Sequence, residues 1–143
     1  MIIKDLSIYP ISHKFIKSLK TANFIHSDRD SWIIKITTQD GFIGYGEASP
    51  IPVFNDETFE ASGYALEGFK LALKGTHNIE IDEMMILTKA HTLDAPSANF
   101  AIETALYDIL SQKKQLPLCK FLNSEALSKV SVNGVYQLTN LKN

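Results

Sequence analysis

The stretch from Ser31 to Ala48, "SWIIKITTQDGFIGYGEA", constrains the fold more than any other part of the chain. Trp32, Ile34 and Ile36 alternate with Ile33, Lys35 and Thr37, the period-two pattern of a strand with one face on a core. Asp40-Gly41 then supplies residues that tolerate the positive φ of a tight hairpin, and Phe42 to Ala48 returns as another strand. Upstream, Ile2 to Ile11 alternates imperfectly, with Ile2, Leu6 and Ile8 on one face. Three antiparallel strands in a meander follow. Between the first two lies "HKFIKSLKTANFIHSDRD", His13 to Asp30, polar and without a clear period. It predicts a loop longer than the usual connection, and such loops are often functional or mobile.

After Pro52 the period changes. Phe59, Gly63, Leu66, Phe69 and Leu73 recur at helical spacing, with Asn55 or Asp56 placed to cap the start and Gly75 the end. A weaker helix is predicted from Asp82 to His91. The third has Pro96 in its first turn and an apolar stripe of Ala98, Ile102, Ala105, Leu106 and Ile109. Pro117 stops it, and "LCKFL" adds a short helical turn. Val130 to Leu138 has strand character but follows the helices, so it either pairs with the meander's edge or begins something else. The fold class is α+β: a three-stranded antiparallel meander followed by a small helical bundle.

At 143 residues the chain can bury a real core in one domain without staples. A hydrophobic content of 45% with 21% charged residues argues against disorder. A net charge of −2 leaves no basic field, which excludes nucleic acid and anionic membrane as expected partners. The N-terminus lacks the charged-then-apolar order of a signal peptide, and no apolar run could span a bilayer. A soluble cytoplasmic protein is expected. Cys119, the single cysteine, lies in "LPLCKFL" and reads as a small core residue rather than a nucleophile.

Chemistry is sparse. His13, His26, His77 and His91 have neither the spacing nor the cysteine partners of a metal site. There is no GxSxG, P-loop or GxGxxG. The glycines of "GYGE" lie inside a strand, where glycine marks close approach of another backbone. Glu47, Asp56 and Glu57 are close in sequence, and paired carboxylates can do acid–base work. At a helix start, Asp56 and Glu57 more simply complement the dipole, and Glu47 reads as structural. Asn99 and Glu103 read as polar surface or tertiary contacts. No complete active site follows from the residues alone.

Three blocks, in order, resemble the N-terminal capping domain of the enolase superfamily in its muconate-lactonizing branch. They are "WIIKITTQDGFIGYGEASPIP", "FNDETFEA" and "PSANFAIETALYDILSQKKQLPLCKFL". The resemblance implies a cap that serves a (β/α) barrel, where a proton α to a carboxylate is abstracted and Mg²⁺ stabilises the enediolate. Such a barrel needs roughly 200 residues or more. It would carry the catalytic residues and the metal ligands, so neither is expected on this chain. "VSVNGVYQL" is similar to the first barrel strand, which implies a cap over residues 1–127 and the start of a truncated barrel over 128–143.

The family's two cap loops correspond to Lys17–Arg29 and Ser49–Thr58. The resemblance implies that Phe24, His26, Arg29, Val53 and Phe54 lie nearest a small carboxylate substrate. Within the branch, "GEASPIPVFNDETFEA" and "PSANFAIETALYDI" look most like the o-succinylbenzoate synthases, which dehydrate a cyclohexadiene carboxylate in menaquinone biosynthesis. Dipeptide epimerases and muconate cycloisomerases share much of the same pattern. The alternative of another class is a non-catalytic binding or assembly module, forming a homo-oligomer through the surface that would otherwise face a barrel.

Overall fold

The computed structural model describes residues 1–20, 24–52, 56–73 and 81–134. Three strands form one antiparallel sheet in the order β1 (Ile3–Lys20), β2 (Ile25–Thr38), β3 (Ile43–Ala48). Among the described residues four helices follow: α1 (Phe59–Leu73), α2 (Ile81–His91), α3 (Pro96–Lys113) and the short α4 (Leu118–Leu122). This is the predicted meander and helical bundle. The turn between β2 and β3 is closed by the Gly41 amide donating to the Thr38 carbonyl at 3.1 Å, with Gly41 at φ 90°. That is the left-handed position the Asp-Gly pair was read to supply.

The register places three rows of side chains across the helix-facing side of the sheet. They are Leu6–Ile36–Gly44, Ile8–Ile34–Gly46 and Pro10–Trp32–Ala48. Each row narrows from a large residue on β1 or β2 to glycine or alanine on β3. The taper exists because α3 lies directly on β3. A Cβ built on Gly44 would stand 2.1 Å from the Ala105 carbonyl oxygen, and one on Gly46 would stand 1.9 Å from that of Ala101. The expectation that "GYGE" marks close backbone approach is met at both positions. Leu6, Ile34, Ile36, Leu66, Phe69, Met84, Ile102, Leu106 and Ile109 fill the core between sheet and helices. The free edge of β3 is covered as well. Asp108 accepts from the Tyr45 amide at 3.2 Å, and Gln112 donates to the Ile43 carbonyl at 2.7 Å. Side chains of α3 thereby occupy backbone groups that a further strand could otherwise pair with.

Several expectations need correction. Residues 13–20 and 25–30 are not an irregular loop: β1 and β2 run on through them as a two-stranded ribbon, paired from Ser12–Asp30 to Lys14–Asp28 and again at Leu19–His26. Its side chains are mostly exposed, so no apolar alternation marks it, yet the backbone ladder forms regardless of what the side chains face. The cap of α1 is Thr58, whose Oγ1 accepts from the Ala61 amide at 3.1 Å. Asp56 instead adopts φ 58°, while Asn55 and Gly75 lie outside the described residues. Cys119 is exposed on α4 rather than in the core, because this single turn turns it away from the bundle. Residues 130–134 have no regular structure and are exposed, so this part of the predicted terminal strand does not pair with the meander. Residues 135–138 of that strand lie outside the described residues.

Candidate functional site

The two segments singled out in the sequence, Lys17–Arg29 and Ser49–Thr58, meet where β3 ends and the ribbon continues. Arg29, half-buried on β2, joins them: its guanidinium donates to the Pro50 carbonyl at 3.3 Å and, more closely, to the Ser49 carbonyl. Beside it a cleft of about 310 Å³ is lined by His26 and Asp28 to Asp30 from β2, by Pro50 to Pro52, and by Phe59 at the start of α1. Phe24 stands next to His26, their ring centroids 6.2 Å apart. Phe59 is fixed from behind. It stacks on Trp32 with ring centroids 4.3 Å apart, and its carbonyl accepts from the indole N–H at 2.8 Å. Gly63 makes room for that indole, since a Cβ there would meet it at 2.7 Å.

The far end of the second segment is held by Glu57. This carboxylate is 2% exposed and accepts from the hydroxyls of Ser62 at 2.8 Å and Ser97 at 2.6 Å, and from the Ser97 amide at 3.0 Å. Ser97 stands in the first turn of α3, whose preceding residue Ala95 offers no side-chain cap. Glu57 was read as complementing the start of its own helix; it serves the start of a different one. A carboxylate at that place satisfies an orphan amide and sits at the positive end of the helix dipole.

Residues 11–123 match the family described as the mandelate racemase / muconate lactonizing enzyme N-terminal domain. The chain belongs to this family. Among curated proteins similar to this mandelate racemase / muconate lactonizing domain is a hydrophobic dipeptide epimerase of Enterococcus faecalis. It is 31% identical over 122 residues, which are 85% of this chain and 34% of that protein. A D-Ala-D/L-Ala epimerase of Cytophaga hutchinsonii is 29% identical over 87% of this chain and 34% of its own length. The chain thus spans about a third of the length of these relatives. Among solved structures, the Enterococcus faecalis V583 dipeptide epimerase, complexed with Mg and the dipeptide L-Leu-L-Tyr, superposes with a TM-score of 0.78 at 31% identity. That match covers 85% of this chain and 34% of the other. The Cytophaga hutchinsonii dipeptide epimerase, complexed with Mg and D-Ala-L-Val, gives 0.78 at 30% identity over 85% of this chain and 33% of that one.

In this mandelate racemase / muconate lactonizing domain, His26 and Arg29 line the cleft and Phe24 stands next to His26. Val53 and Phe54 lie outside the described residues. Glu47 is exposed on β3, by a shallow hollow with Ser49, Ser97 and Phe100, and makes no pair with Asp56. Asn99 makes a tertiary contact, accepting from the Thr92 hydroxyl at 3.1 Å. Asp28 and Asp30 went unnoticed, although their i, i+2 spacing puts both on one face once the segment is known to be a strand. Among the described residues no group of three or more His, Cys, Asp or Glu is placed to hold a cation, so these residues do not fit Mg²⁺. Nor is any described helix long and apolar enough to cross a membrane.

Proposed function

We propose that this chain is the substrate-selecting cap of an Mg²⁺-dependent epimerase that acts on dipeptides or similar small carboxylates. The observation that carries the reading is the cleft, lined by the ribbon, Pro50 to Pro52 and Phe59, in a chain 31% identical to a dipeptide epimerase over 85% of its length. The named relatives are epimerases, so the o-succinylbenzoate synthase preference draws no support from them, and the epimerase alternative does.

In this reading residues 1–127 form the cap and residues 128–143 begin the barrel, which holds the ion and moves the α-proton. Phe24, His26 and Arg29, with Val53 and Phe54, contact the part of the substrate away from the reacting carbon. Their work is to bind, orient and exclude water. Remote binding of this kind lowers a barrier by positioning the reacting groups. The protein then acts in the cytoplasm on a small molecule.

A graft tests the reading. Residues 1–127 replace the cap of the Enterococcus faecalis enzyme, and hydrogen–deuterium exchange at Cα is followed by NMR in D₂O with Mg²⁺ over a dipeptide panel. Exchange with a dipeptide preference different from the parent's is the expected outcome. Dehydration of a cyclohexadiene carboxylate without dipeptide exchange would return the assignment to the synthases.

A further inference from the structure

The charged groups that line the cleft are engaged unequally. The Arg29 guanidinium is committed to backbone: one terminal nitrogen donates to the Pro50 carbonyl at 3.3 Å and the other to the Ser49 carbonyl. Its donors are thereby turned toward the protein rather than toward an incoming anion. Asp28 and Asp30 have no such commitment. Among the described residues the ion pairs are Lys70–Glu67 and Lys113–Asp40, so neither aspartate is in one. Lys14 is the register partner of Asp28, yet the two do not close to ion-pair distance. The hydrogen bond that Asp28 accepts, at 3.2 Å, comes from the neighbouring Ser27 hydroxyl. Strand alternation puts Asp28 and Asp30 on the same face as Trp32, and Phe59 stacks on that indole. Two exposed carboxylates and the apolar surfaces of Phe59 and Pro50 to Pro52 therefore border one space of about 310 Å³.

We propose that the cleft takes a cationic side chain of the substrate, that of a lysine- or arginine-bearing dipeptide, with the terminal cation at Asp28 and Asp30. The alkyl stem lies along Phe59 and the prolines, as long cationic side chains cover apolar surface while their heads stay with water and counter-charge. The inference rests on the reading of this cleft as substrate-facing, and narrows it from small carboxylates in general to cationic ones. Because the two carboxylates are already exposed, they meet a cation without the desolvation cost of a buried pair. They outnumber the single guanidinium, so the cleft attracts a cation and repels an acidic side chain.

Titration of the 143-residue chain, followed through its amide N–H NMR signals, tests this with three dipeptides that share their terminal charges. They are alanyl-lysine, alanyl-norleucine, which has a similar stem without the charge, and alanyl-glutamate. Alanyl-lysine is expected to shift the amides of residues 26–30 and Phe59 and to bind about tenfold tighter than alanyl-norleucine, a margin that shrinks as salt is raised. Asp28→Asn and Asp30→Asn should each cut that margin about threefold, the scale of one exposed ion pair, and the double variant should abolish it. Both side chains are exposed, so neither substitution threatens the fold. Equal or tighter binding of alanyl-norleucine or alanyl-glutamate, a margin unchanged in the double variant, or no shift at these residues overturns the proposal. The graft reads the same margin as a ratio of kcat/KM values. Exchange confined to apolar or acidic dipeptides sinks the cationic preference and leaves the epimerase reading, whereas absence of any dipeptide exchange sinks that reading and leaves the binding margin as measured.

Discussion

Gly44 and Gly46 lie under α3 with no room for a methyl group, and the obstructing atoms are backbone carbonyls that no rotamer change can move. Gly46→Ala is therefore expected to destabilise the domain by about 3 kcal/mol, the upper part of the usual range for overpacking. Gly41→Ala serves as the comparison, since a Cβ there meets nothing and only the φ of 90° opposes it. About 1 kcal/mol is expected at that site. Urea unfolding of the two variants measures the difference, and equal losses would contradict direct strand-on-helix contact. At the hairpin turn, Asp40 pairs with Lys113 at 2.6 Å. The hydrogen bond from Lys113, then that from Thr38, holds the carboxyl below the usual carboxylate value. A folded value lower than the unfolded one means that the contribution is complete above the unfolded value, about 3.9, and is lost as pH falls through the folded one. Asp40→Asn should accordingly lower the melting temperature slightly at pH 7 and leave it unchanged near pH 2. The pair is solvent-exposed, so the effect is small and salt weakens it.

The ribbon is the element that sequence reading missed. Among the described residues no third strand pairs with it beyond Trp32 and few of its side chains are buried, so ladder hydrogen bonds and cross-strand pairs hold it. Its amides over residues 12–20 and 25–30 are expected to exchange with deuterium faster than those of 33–37, which lie between two strands. Ile16 on the ribbon is fully exposed, whereas Ile34 in the core is fully buried. Ile16→Ser should change stability by no more than about 0.5 kcal/mol, and Ile34→Ala should cost about 2–5 kcal/mol, both read by denaturant unfolding. The contrast within one hairpin separates the part that builds the fold from the part that borders the cleft. In α3 the stripe of Ala98, Ile102, Ala105, Leu106 and Ile109 was legible because small and large apolar residues recur at helical spacing, and all five are buried. Its N-terminal anchor was not legible, since Glu57 lies 40 residues away from Ser97 in sequence.

For the molecule as a whole, the family match ends at residue 123, and residues 127–134 are exposed without regular structure. Ending the chain after residue 127 is expected to leave the melting temperature within about 2 °C of the full chain, less than 1 kcal/mol would produce. A larger fall would place the later residues in the cap. Sequence alone determined the meander, the tight turn at Asp40-Gly41, the three main helices and the close approach at Gly44 and Gly46. Each is a local pattern: a period of two, a period of 3.6, a residue that tolerates positive φ, a missing side chain. Only the tertiary structure decided that residues 13–20 and 25–30 lie in strands, that Arg29 grips the Ser49 and Pro50 carbonyls, and that Glu57 caps α3. Any backbone can make ladder bonds without leaving a mark in its side chains. A polar group's partner is chosen by whichever element the fold brings beside it.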